Sequence, residues 1–330
     1  MMSTADLTTT ENTTNKHRHQ AMNSEQDGRW AILYCPKKGK AKLREKIQQS
    51  LNDKGVEYDW IQSENADSVE RLFAMLIHNG YKTIVIVGGD SALNDAVNCL
   101  MREERHVREE IALGVIPNGV LNDFARYWGF HESNIEQAID WLIHHRMRRI
   151  DIGCIRYVNK RGEDCHRYFL NCVNIGLIAD IMNLRRQARS LFGSRTLSFV
   201  ASIFMMIFHR IDYKMLLRIN SETLQRRIMT LCIGNGPGYG QTRHATPYNG
   251  LLDVSVVYHT EVVQIFAGLW LLLTGRFLNH RSVHPYRTRE VLIEDAPHAL
   301  VGVDGRLIEK PVGQYRITIE QEVIQFLIPS

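Results

Sequence analysis

Gly88-Gly89-Asp90 follows the apolar run Thr83 to Val87 and precedes a stretch in which Leu93, Val97 and Leu100 recur at helical spacing. Glycines at the end of a buried strand let backbone N–H groups come close to an anion, and a helix N-terminus beside them favours negative charge. The chemistry of such a loop is phosphate binding, and a tight turn that merely needs glycine is the plain alternative. A second loop, Pro117-Asn118-Gly119-Val120-Leu121-Asn122-Asp123, follows the run Ile111 to Ile116 and leads into Phe124-Ala125-Arg126. Asn122 or Asp123 is placed to cap a helix starting there. Asp90, Asp123, Asp253 and Asp304 are carboxylates that could support a metal or act as a base; Asp123 as a helix cap and Asp253 on the solvent side of a strand are the bland readings.

The elements around these loops alternate. Trp30 to Tyr34 reads as a strand, Lys42 to Lys54 as a polar helix and Glu57 to Ile61 as a strand; Val69, Leu72, Phe73, Leu76 and Ile77 recur at helical spacing. Strands alternating with helices, each followed by a short loop, predict a parallel doubly wound sheet, with both glycine loops at the carboxyl ends of strands where ligands of such sheets sit. After a helix over Ile135 to Ile143 and the basic run Arg146 to Arg149, the pattern changes. Runs at Ile152–Val158, Tyr168–Val173, Lys214–Ile219, Arg227–Ile233, Leu252–Tyr258, Val291–Ile293, Ala299–Val303 and Tyr315–Ile319 predict an antiparallel, sandwich-like β domain.

The 330 residues are long for one core, so two domains are expected: a polar disordered tail over 1–28, an α/β domain over 29–149 and a β-rich domain over 150–330. A net charge of +4 gives no warrant for nucleic-acid binding, and any basic patch must be local. The six cysteines, Cys35, Cys99, Cys154, Cys165, Cys172 and Cys232, show no metal-ligand rhythm and read as reduced thiols of a cytoplasmic protein. The apolar stretches Leu197 to Phe208 and Val262 to Leu273 are shorter than the roughly 20 residues of a membrane-spanning helix. Arg185, Arg186, Arg189 and Arg195 precede the first of them, which would suit peripheral contact with an anionic membrane; packing in a core with a solvated basic surface is the alternative.

The two loops together resemble the GGDGT-x-N-E and P-x-G-[ST]-[GA]-N-D-[FL]-A-[RK] motifs of the diacylglycerol kinase family of lipid kinases, with Asn94 and Asn98 continuing the first motif. Asn171 with Asn174-Ile175-Gly176 and Ala179, Asn235-Gly236-Pro237-Gly238-Tyr239-Gly240, Asn249-Gly250-Leu251-Leu252-Asp253-Val254 and Val303-Asp304-Gly305 resemble its later segments in the same order. The resemblance implies a NAD kinase-like α/β domain and a β-rich domain with a nucleotide cleft between them, ATP and Mg2+ as cofactors, and a membrane lipid as phosphate acceptor. It also implies nucleotide contacts at Gly88, Gly89, Asp90, Ser91, Asn94, Pro117, Gly119, Asn122 and Asp123, catalytic roles at Asp90, Asp304 and the position of Arg306, and a metal at Asn249 and Leu251.

The departures fall on these positions. Ser91-Ala92 stands for Gly-Thr, Val120-Leu121 for Thr-Gly, Cys35-Pro36 for Asn-Pro, Asn249 for an aspartate and Arg306 for a glutamate that could act as a base; a guanidinium accepts no proton at neutral pH. The leading expectation is therefore an ATP-dependent lipid kinase. Its rivals are a catalytically impaired pseudokinase that binds nucleotide or lipid as a sensor or partner, and a kinase of soluble substrates related to NAD kinase. An edge strand in the second domain could pair across a homodimer.

Overall fold

The computed structural model describes residues 28–36, 41–65, 67–119, 122–183, 212–238, 242, 244–258 and 282–330. Residues 1–27 of the expected tail over 1–28, Val120 and Leu121, the basic and apolar segment 184–211 and the stretch 262–273 lie outside the described residues. Backbone contacts divide the chain into two compact units: the residues up to Arg148 together with Ile324–Ser330, and Arg149–Val323.

In the first unit, β1 (Trp30–Tyr34), β2 (Tyr58–Gln62), β3 (Thr83–Gly88) and β4 (Ala112–Pro117) form a parallel sheet in the order β2-β1-β3-β4. The end of the last strand, β15 (Val312–Ile328), joins it beyond β4, also parallel, with Gln325 opposite Ala112 and Phe326 opposite Leu113. Strands β3 and β4 are covered on both faces, which is why their sequences read as unbroken apolar runs. The helices are α1 (Ala41–Asp53), α2 (Ser68–His78), α3 (Asp90–Leu100), α4 (Arg105–Glu110), α5 (Asp123–Tyr127) and α6 (Ile135–Ile143); α2 packs with α3, and α1 with α6. The short α4 was not anticipated, because it is too short to show a period, whereas α5 starts where the second loop was expected to open a helix.

The second unit is antiparallel. Strand β5 (Arg146–Val158) starts in the basic run expected to be a boundary and pairs with β6 (Asp164–Phe169) and β15. The other strands are β7 (Cys172–Gly176), β8 (Tyr213–Ile219), β9 (Glu222–Gly234), β10 (Leu252–Tyr258), β11 (Val283–Thr288), β12 (Glu290–Asp295), β13 (Val301–Val303) and β14 (Arg306–Leu307). Their order is β14-β13-β7-β9-β8-β12-β15, with β10 and β11 branching from β9. The first half of β9 pairs with β8, and its second half lies between β7 and β10. Val173, Ile175, Leu231, Ile233, Val254, Val256, Val301 and Val303 share one buried core.

Two expectations are corrected here. Tyr168 to Val173 is not one strand: it breaks at Leu170 and Asn171 into β6 and β7, which pair with different partners. Strand β11 was missed, because Pro285 and the alternation of polar residues in Val-His-Pro-Tyr-Arg-Thr hide it.

Candidate functional site

Strands β3 and β4 run in register with Gly88 opposite Pro117, so the loops after them leave neighbouring strands at the same end. Gly89 is extended (φ −101°, ψ 179°), so left-handed freedom is not what it supplies. Space is. A Cβ on Gly89 would lie 2.8 Å from the Gly119 Cα, and one on Gly119 would lie 2.6 Å from the Gly89 Cα and 2.2 Å from Asn122 Oδ1. The two loops therefore touch backbone to backbone, and only glycine at both positions permits the contact.

Side chains lock this arrangement. The Gly119 N–H donates to Asn122 Oδ1 at 2.7 Å, and the Asn122 amide donates to Glu132. Asn122 holds a left-handed backbone (φ 52°), which asparagine tolerates better than most residues. The Asp90 carboxylate accepts the N–H groups of Asp123 (2.9 Å) and Phe124 (3.2 Å), the first two amides of α5. Asn122 stands at the N-cap position of this helix, as expected, but makes no side-chain cap bond; the side-chain acceptor comes from Asp90 in the other loop. Phe124 meets Phe326 edge to face at 5.1 Å, which seats α5 on the end of β15. On the remaining side the Asn118 amide donates to the Cys35 carbonyl at 3.1 Å, tying in the turn after β1, and burial pushes the Cys35 thiol up, so it stays protonated at neutral pH.

The amides of Asp90 and Ser91 open the 11-residue α3, while the Ala92 and Leu93 N–H groups return to the Gly89 carbonyl at 3.0 and 3.1 Å. Gly88, Gly89, Ser91, Pro117 and Gly119 come together at this end of the sheet. Asn94 does not lie on the loop surface; it is buried one turn inside α3, where Asn98 donates to its carbonyl (2.8 Å) and to its Oδ1 (3.1 Å).

In the second unit Asp304 and Gly305 both have positive φ (42° and 83°) and join β13 to β14 as a two-residue hairpin, the role for which Asp-Gly is suited. The Asp304 carboxylate is buried and accepts three backbone N–H groups: Leu170 at 2.7 Å, Asn171 at 3.0 Å and Cys172 at 2.9 Å. This is the physical cause of the break between β6 and β7. Arg306 follows in β14, paired with Val303. Asp151, which the sequence reading passed over, makes a second buried clasp by accepting the Gly250 N–H (2.7 Å) and the Glu322 N–H (2.9 Å). Asn235 joins the two, donating to the carbonyls of Asp151 (2.8 Å) and Leu170 (3.1 Å). A lone aspartate inside Ile150-Asp151-Ile152 was the available signal, since a charged residue in a buried strand needs partners.

Asn249 turns its Oδ1 back onto the Leu251 N–H at 2.9 Å, an Asx turn, and Asp253 is paired with Arg287 at 2.6 Å. Among the described residues no group of three His, Cys, Asp or Glu side chains could hold a metal. The expected magnesium position at Asn249 and Leu251 does not fit: its one side-chain oxygen is neutral and engaged, the Asp151 carboxylate beside it accepts the Gly250 and Glu322 N–H groups, and Asp253 carries a guanidinium.

Residues 29–155 match the profile of the Diacylglycerol kinase catalytic domain, and residues 171–324 that of the YegS C-terminal NAD kinase beta sandwich-like domain. A diacylglycerol kinase of Staphylococcus saprophyticus is 21% identical over 304 residues, 89% of this chain and 94% of its own length. The crystal structure of a diacylglycerol kinase from Bacillus anthracis superposes with a TM-score of 0.63 at 16% identity, covering 92% of this chain and 97% of its own. Yeast NADH kinase complexed with NADH superposes with a TM-score of 0.50 at 10% identity over 91% of this chain and 84% of its own. At these identities the two structures speak for the fold alone.

Proposed function

Since the chain belongs to the diacylglycerol kinase catalytic-domain family, with both of its domains present in order, we propose that it is an ATP-dependent lipid kinase acting on a lipid hydroxyl at the membrane surface. The observation that carries this reading is the joined pair of loops in the first unit. Glycine-to-glycine contact and the Asp90 cap fix the N-terminus of α3, and a fixed helix N-terminus with bare glycine backbone beside it is suited to phosphate. The residues present fit a nucleotide there: the amides of Gly88, Gly89 and Ser91 and the Ser91 hydroxyl would hold its phosphates, and ATP would supply the transferable phosphoryl group. Phosphoryl transfer asks the protein mainly for positioning and neutralisation of charge. Asp304 acts as a positioning residue for the β6–β7 corner. Among the described residues no helix is long and apolar enough to cross a membrane.

The test is incubation of the full chain with ATP and vesicles carrying diacylglycerol, a sphingoid base or a phosphatidyl lipid, alongside ATP calorimetry of wild type and Gly119→Ala. Saturable ATP binding weakened by the substitution, with phosphate appearing in a lipid, is the expected result. ATP binding without transfer to any lipid would sink the enzyme and leave the second reading, a non-catalytic relative that binds nucleotide or lipid. That reading is favoured by Arg306 at the position of the family's glutamate and by Asn249 folded into its own turn. Arg306→Glu separates the two, because a kinase that works without a base at this position gains nothing from it.

A further inference from the structure

The second unit carries an open groove of about 500 Å³ lined by Arg218, Arg287, Arg289, Arg316, Leu251 and Leu292, with Glu290 the one carboxylate among the described residues that line it. The strand register explains the convergence. Leu292 in β12 lies between Arg218 of β8 and Arg316 of β15, so two guanidinium groups flank one apolar side chain on the same face of the sheet. Arg287 comes from β11, opposite Asp253. Arg289 is the single residue between β11 and β12, at a corner fixed by Thr288, whose hydroxyl donates to the Glu290 carbonyl (2.9 Å) and accepts the Glu290 N–H (3.2 Å).

The charges are only loosely neutralised. Arg218 is paired with Glu294 at 2.5 Å and Arg287 with Asp253 at 2.6 Å, whereas Arg316 reaches Glu290 at 3.5 Å with both side chains about half exposed. Arg289 is exposed and makes no ion pair with the described residues. Exposed pairs of this kind are worth at most about 1 kcal/mol, so an incoming anion competes for them easily. Guanidinium groups bind phosphate oxygens in a bidentate fork that lysine cannot reproduce. Leu251, where the resemblance implies a metal cation, lines this groove, and the arginines around it carry the same sign as a cation and suit an anion instead.

We infer that this groove is a binding site for a phosphate group, with Arg289 and Arg316 as its principal ligands and Leu292 as its apolar floor. The phosphate could come from a phospholipid headgroup or from a soluble phosphate, and the site does not depend on phosphoryl transfer by this protein.

The experiment compares the full-length wild type with Arg289→Ala and with the double variant Arg289→Ala/Arg316→Ala. Both positions are exposed, and a thermal melt confirms folding. One arm titrates inorganic phosphate by calorimetry at low salt; the other measures sedimentation with phosphatidylcholine vesicles, with and without phosphatidic acid. Binding in either arm is expected to weaken about tenfold for the single variant and further for the double, since a hydrogen bond to a charged group is worth that much. Loss in both arms assigns the site to soluble phosphate as well as headgroups, and loss confined to the phosphatidic acid vesicles assigns it to a lipid headgroup. Absence of binding in both arms, or binding that survives the double substitution unchanged, overturns the inference.

Discussion

Asp90 in the first unit and Asp304 in the second do the same thing to different extents. Each sends a carboxylate across to a neighbouring segment and collects backbone N–H groups: two from the start of α5 for Asp90, three from the corner between β6 and β7 for Asp304. Asp90 is half-buried beside bare glycine backbone, whereas Asp304 is only 4% exposed. A fully enclosed carboxylate is committed to architecture. One that is half open lies within reach of solvent at the rim of the loops. Motif letters of equal prominence in the sequence thus mark a structural pin in one unit and a pin on the rim of a candidate binding surface in the other.

Removing the pins should break this comparison in the direction of burial. Asp304→Ala strands three buried amides, each costing about 1 to 3 kcal/mol, and also places alanine at a positive φ. The second unit is expected to lose about 4 kcal/mol, read as a fall in the urea midpoint. Asp304→Asn, which keeps one acceptor and tolerates the left-handed backbone, should recover about half. A loss under about 1 kcal/mol for Asp304→Ala would show that the three bonds contribute little. Next in size is Gly119→Ala. Its Cβ would meet the Gly89 backbone and a fixed Asn122 oxygen, so about 2 kcal/mol of stability and at least tenfold in ATP affinity should go together. Loss of stability with unchanged ATP affinity would detach the glycine contact from the proposed nucleotide site.

The parallel sheet was legible from the residues because β3 and β4 are buried on both faces and leave unbroken apolar runs ending in glycine loops. The candidate loops were legible for the same reason. What could not be read was who bonds to whom. The Asp90 cap reaches 33 residues along the chain and the Asp304 clasp more than 130, and no local pattern encodes a partner at that distance. Local rules placed Asn122 at the N-cap of α5 without showing that Asp90 supplies its side-chain acceptor, and they fused β6 and β7 because the mostly apolar run from Tyr168 to Val173 shows no sign that Asp304 pulls three amides aside. The arginine groove was hidden likewise: Arg218, Arg287, Arg289 and Arg316 are spread over four segments and meet only through the pairing of β8, β12 and β15. The net charge of +4 allowed for a local basic patch and could not locate it.

Asp90→Asn is the milder counterpart of the Asp304 substitutions. It keeps one acceptor for the two α5 amides and removes a charge from a helix N-terminus, so about 1 kcal/mol should be lost. The urea midpoint measures it, and a loss equal to that of Asp304→Asn would erase the distinction between the half-open and the enclosed pin.

The smallest effect concerns two buried thiols, one in each unit. Burial pushes Cys99 in α3 up to about 11 and Cys154 in β5 up to about 12. In the unfolded chain both ionise near their ordinary value of about 9. Above that pH the unfolded state binds fewer protons than the folded one, so unfolding becomes more favourable as pH rises. The contribution is complete below about pH 9 and is lost through about 11 for Cys99 and about 12 for Cys154, at a rate on the order of 1 kcal/mol per pH unit for each thiol. Urea midpoints of wild type and Cys154→Ala should run parallel from neutral pH to about pH 9, after which the wild type falls progressively relative to the variant, which lacks the titrating group. Curves that stay parallel beyond that pH would mean that the Cys154 thiol ionises as readily in the folded strand as in the unfolded chain, and that burial of β5 does not isolate it from water.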